Sequence, residues 1–122
     1  MIRPTLVLLL LFIGLSTTTV IAEPAENQQQ MNMRAQKDFE TADADLNLTY
    51  KALVKGLSKE TKDRLVDAQL AWIKYRDLNA TAKAAEWEGG SMQPMIYAAS
   101  RAVTTRRRTT ELKEWLKDVG SR

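Results

Sequence analysis

From Met31 to Leu57, apolar residues recur at helical spacing. Ala35, Phe39, Ala42, Leu46, Tyr50, Leu53 and Leu57 follow one another at steps of 3 or 4, with Asp38, Glu40, Asp43 and Asp45 between them. That period puts the apolar set on one face of a helix and the acids on the others. Gly56 is expected to end this helix in a left-handed turn. Ser58 then offers an N-cap, with Glu60 in the first turn of a second helix predicted over about Lys59 to Ala85. A link this short predicts that the two helices lie antiparallel and in contact. In the second helix Leu65, Ala68, Trp72, Tyr75 and Asn79 form the predicted stripe, with Gln69, Arg76 and Asp77 on its flank. Glu88-Gly89-Gly90-Ser91 breaks the pattern. A third helix is predicted beyond it, capped by Ser91 with Pro94 in its first turn and closed by Gly120. Its stripe is thin: Met95, Ala99, Ala102, Thr105, Thr109, Leu112 and Leu116. No alternating strand pattern follows Met31. The expected fold is all-α, an antiparallel arrangement of three helices of about 25 residues, each roughly 37 Å long.

The N-terminus has a different pattern. Met1-Ile2-Arg3 precedes an apolar run from Leu6 to Leu15, then Ser16 to Thr19 and Val20-Ile21-Ala22. This is the layout of a secretory signal peptide over residues 1–22, cleaved before Glu23, and the apolar run is short for a membrane span. Residues 23–30 read as a polar lead-in whose glutamines can join the first helix. Residues 31–119 read as a single helical domain. The expected location is periplasmic or secreted, with no stable membrane anchor after cleavage.

Composition narrows the chemistry. The 18 Lys and Arg less Arg3 leave 17 basic residues against 15 acidic ones, a net charge of +2 after cleavage. A charge so close to neutral argues against a nucleic-acid binder. The chain has no cysteine and no histidine. An exported protein without cysteine relies on its core rather than on disulfides, and the usual zinc ligand and neutral-pH base are both missing. Neither a cofactor nor a metal is expected. Asp43/Asp45 and Glu86/Glu88 are spaced two apart, so on a helix they diverge by about 200° and cannot bracket one bond. Arg106-Arg107-Arg108 likewise diverge. At most Arg108 faces inward, with Asp77 its expected partner on the second helix. No nucleophile–base pair or phosphate loop is present, so an enzyme is not expected.

Four segments, in order and spacing, resemble the LprI-like lysozyme-inhibitor family of small secreted bacterial helical proteins. They are Ala42 to Tyr50, Ala68 to Asp77, Glu88 to Ser91, and Thr105 to Leu112. The resemblance implies weight for Asp43, Asn47, Tyr50, Gln69, Trp72, Arg76, Asp77, Gly89, Gly90, Thr105 and Arg108. It also implies one departure, because relatives commonly carry cysteine at the positions of Arg34, Ala80 and Ser100. Two readings of the polar set stand side by side. It can be a buried hydrogen-bonded lattice that fixes helix register, or part of a binding surface. The resemblance further implies a protein partner in the cell envelope, with lysozyme as the candidate. The corner Glu86, Trp87, Glu88 and Ser91 is the candidate element to enter a basic enzyme's cleft. The alternative is a non-catalytic immunity or stress module with a different protein partner.

Overall fold

The computed structural model describes residues 19–22 and 25–122. The expected signal peptide and its cleavage point fall largely on residues 1–18 and 23–24, outside the described residues. Three long helices carry the chain: α1 (Gln28–Lys55), α2 (Lys59–Ala84) and α3 (Gln93–Gly120). A single 3-10 turn, Ala85–Trp87, follows α2. No strand occurs among the described residues, and no described helix is long and apolar enough to cross a membrane.

The helix starts have local causes. Asn27 caps α1, its side chain accepting from the Gln30 backbone N–H while the Gln30 side chain accepts from the Asn27 N–H. This reciprocal box satisfies two otherwise orphaned donors, and the lead-in glutamines are therefore helical. Ser58 caps α2 by accepting from the Thr61 N–H. Ser91 does not cap α3: Met92 holds that position without a side-chain bond, and Pro94 sits in the first turn. The Ser91 carbonyl instead accepts from the Asn32 side chain at 3.1 Å, so the residue ties the corner to α1.

Gly56 ends α1, but not in the expected left-handed conformation; its φ is −94°. Space explains the glycine instead. A Cβ there would lie 2.7 Å from Val119 Cγ1, where the end of α3 closes over the α1–α2 link.

Pairings across the helices fix their directions. Arg106 meets Asp38 and Lys113 meets Asp45, both 68 residues apart, so α3 runs parallel to α1. Arg101 meets Asp77 and Arg108 meets Gln69, which makes α2 antiparallel to α3. The closest backbone packing is between α1 and α3, with α2 packed on α3. The backbones of α1 and α2 scarcely approach, although their link is short. They meet through long side chains such as Arg76 and Asp43. α3 thus lies between its neighbours, and its burial shows why its apolar stripe is thin. Ala98, Ala102, Thr105, Thr109 and Leu112 are buried on one face, and Ser100 and Thr104 on another. Ser100 lies about 200° around the helix from Ala102. Small side chains on both faces let neighbouring backbones come close. The Thr109 hydroxyl returns its hydrogen bond to the Thr105 carbonyl at 3.0 Å, so that threonine is buried with its donor satisfied.

The core itself is Leu46, Leu53, Leu65 and Leu112, with Trp72, Trp115 and Val119 among the side chains packed against it. The stripe of α1 is as its spacing predicts. That of α2 is displaced: Leu65, Arg76, Ala80 and Ala84 are buried, whereas Ala68 and Tyr75 are exposed. An arginine takes the place that periodicity assigned to an aromatic. The reason lies in its surroundings.

Candidate functional site

Arg76 is the centre of a polar lattice that joins all three helices. Its side chain is 7% exposed. One guanidinium nitrogen donates to Asp43 on α1 at 3.2 Å, and Nε donates to the adjacent Asp77 at 2.9 Å. Arg101 on α3 donates to the same Asp77 oxygen at 3.0 Å. The faces of both cations are covered by rings. Arg76 lies 5.1 Å from the Phe39 centroid and 5.3 Å from that of Trp72, and Arg101 lies 3.7 Å from Phe39. Two arginines and two aspartates cancel in charge, and the aromatic faces compensate the desolvated guanidiniums. This is how a charged residue occupies a core position. Trp72 is half-buried against both the leucine cluster and Arg76.

Asp77 is pulled two ways. Burial pushes its carboxyl up, but the hydrogen bonds and charges of Arg76 and Arg101 outweigh that and hold it below the ordinary carboxylate value. A carboxyl lowered in the folded state stabilises the fold above its unfolded pKa of about 3.9, and that contribution disappears as pH falls through the lower folded value. The wild-type urea midpoint should therefore drop on acidification below about pH 4. Asp77→Asn should start lower at pH 7 and show a flatter acid limb. Parallel acid limbs in the two proteins would exclude Asp77 as a contributor.

Arg108 does not reach Asp77, contrary to the expectation from its stripe. Its Nε donates to Gln69 at 3.1 Å, and a terminal nitrogen pairs with Glu111 at 2.9 Å. Asp77 is already taken by Arg76 and Arg101. Arg101 is the residue that sequence reasoning missed. Only its position one helical turn beyond Tyr97 marks it, and its acceptor is far away in the chain. Arg106 is exposed on Asp38 and Arg107 is exposed, so the arginine run is not one patch.

Above the lattice, α1 and α2 part to leave a groove of about 230 Å³. Five of the sequence-flagged residues line it: Asp43, Asn47, Tyr50, Gln69 and Arg76. Its apolar side is Val66, Leu70 and Ile73, with Leu46 as floor. Asn47 is exposed and makes only a long 3.5 Å bond to Asp43. It belongs to the groove rather than to the buried lattice. Thr105 lies outside the groove, fully buried in α3.

The other flagged residues form the corner between α2 and α3. Gly89 adopts φ +76°, the left-handed conformation that glycine takes without strain. Its N–H donates to the Gln93 side chain at 3.3 Å, and the Gly90 N–H donates to the Trp87 carbonyl at 2.9 Å. On this hydrogen-bonded turn Glu86, Glu88 and Ser91 are exposed and the Trp87 side chain is 41% exposed. Among the described residues, neither glutamate meets a basic side chain.

These features define a small three-helix protein in which a charge lattice centred on a buried arginine joins the helices, with a groove beside it and a hydrogen-bonded acidic corner. The family profile described as Lysozyme inhibitor LprI matches residues 21–112, and the chain belongs to that family. An uncharacterized protein of Rhizobium meliloti (strain 1021) is 37% identical over 108 residues, covering 78% of each chain. No solved structure matches the chain.

Proposed function

We propose that the protein acts outside the cytoplasm, in the periplasm or as a secreted protein, as a non-catalytic inhibitor of a lysozyme-type muramidase, with the corner Glu86 to Ser91 as its contact element. The supporting observation is the build of that corner. An accessible indole stands between two carboxylates that meet no basic side chain among the described residues, on a turn held by its own hydrogen bonds and by Asn32. Aromatic anchors supply much of the energy of compact interfaces, and a preordered loop loses little entropy on binding. Two free carboxylates suit a basic enzyme. The family description supports the inhibitor class.

The purified mature protein should inhibit lysozyme turnover of cell walls. Trp87→Ala combined with Glu88→Lys should weaken inhibition at least ten-fold with an unchanged melting temperature. Full turnover at a large molar excess of the inhibitor would refute the proposal. The alternative reading, an envelope interaction module with a different protein partner, draws on the near-neutral charge of the mature chain. A net charge of +2 provides no long-range steering toward a cationic enzyme. Recovery of one protein unrelated to lysozyme from envelope extract would favour it.

A further inference from the structure

The groove between α1 and α2 has no role in the corner's contact, and its chemistry is of another kind. We infer that it is a saccharide subsite, shaped for an N-acetylated amino sugar in a glycan chain.

Its polar groups keep open hydrogen-bonding capacity. The Gln69 amide accepts from Arg108 through its oxygen, which leaves its NH2 without a bond among the described residues. The Tyr50 hydroxyl makes none among the described residues, and Asn47 reaches only the Asp43 oxygen that Arg76 leaves, at 3.5 Å. Between them α1 and α2 therefore offer the groove a donor, an acceptor and two groups that do both. Hydroxyls, which donate and accept, can satisfy all of them. A purely apolar helix laid in the groove would leave each one unpaired, at about 1–3 kcal/mol per buried group. Charge points the same way. Asp43 is neutralised by Arg76, so nothing in the groove calls for an ionic ligand.

The aliphatic residues that α2 sets beside Gln69 explain the acetamido group. Val66, Leu70 and Ile73 are aliphatic, with Leu70 62% and Ile73 37% exposed. A hydroxyl pressed against them would lose its water without finding a partner, whereas the methyl of an acetamido group fits there. Tyr50, half-buried against the leucine cluster, adds aromatic surface to the lining. The volume is below the range of about 300–1,000 Å³ for drug-sized ligands, in keeping with one ring at a time.

The test is a titration of the isotopically labelled mature protein with the β-1,4-linked trimer of N-acetylglucosamine, read by NMR. The side-chain amide signals of Asn47 and Gln69 should shift saturably, with a dissociation constant near 1 mM, an interaction of about 4 kcal/mol. Asn47→Ala and Leu70→Ala, both at exposed positions, should keep the fold and weaken binding at least five-fold. Three results would overturn the inference: no saturable shift at about ten times that concentration, an equal response to maltotriose, or undiminished binding in both variants. The muramidase assay plays no part in this experiment, so failure of either proposal is read separately from the other.

Discussion

Replacing Arg76 by alanine should destabilise the protein by about 3 kcal/mol. For a chain of this size that lowers the melting temperature by on the order of 15 °C. The expectation follows from what the substitution leaves behind. Asp43 and Asp77 lose the cation between them, so two carboxylates face each other with Arg101 alone for compensation. Phe39 and Trp72 lose the guanidinium that covers them, and the stem of a nearly buried side chain becomes a void. Arg76→Lys restores the charge but not the planar fork that engages Asp43 and Asp77 from different nitrogens, so it should recover less than half of the loss. Arg108→Ala is the control. Its partners Gln69 and Glu111 can turn to water, and the cost should be about 1 kcal/mol. Thermal unfolding followed by circular dichroism measures all three. If Arg76→Ala melted no lower than Arg108→Ala, the lattice would not be what locks the helices together.

Leu53→Ala should cost as much or more, about 3–4 kcal/mol. Leu53 is fully buried, in the same cluster as Leu46, Leu65 and Leu112, which joins all three helices. Its neighbours cannot collapse easily into the space. Gly56 just beyond it holds Val119 against the backbone, and the end of the bundle is closed by that contact. The loss therefore combines the transfer energy of the removed methyls with a persistent cavity. Urea unfolding at pH 7 should show a lower midpoint with an unchanged slope. A cost under about 1 kcal/mol would mean that the leucine cluster is loosely packed. Without disulfides, the chain has no covalent restraint to mask either effect.

The residues legible in advance were those whose role depends on near neighbours in the chain. The stripe of α1, the cap at Ser58, the break at Gly89-Gly90 and the divergence of Arg106, Arg107 and Arg108 all follow from spacing within a few residues. Backbone geometry at that range is set by period and by hydrogen bonds between positions three or four apart. The fold class is determined the same way, because three long helices joined by short links have few ways to pack. The family resemblance also drew attention to Asp43, Gln69, Arg76 and Asp77, though not to what each one meets.

Pairing across helices was decided only in three dimensions. Asp77 selects Arg101 rather than Arg108, and Arg76 displaces Tyr75 from the inner face of α2. Periodicity counts an arginine as polar and cannot register two carboxylates and two aromatic rings arriving from distant parts of the chain. The same holds for Gly56, whose need for a bare α-carbon arises from Val119, 63 residues later. It holds also for the opening between α1 and α2. The sequence by itself therefore determined which segments coil and which residues are candidates for burial. The tertiary structure decided which charges are neutralised, and so which polar groups lock the fold and which face the groove.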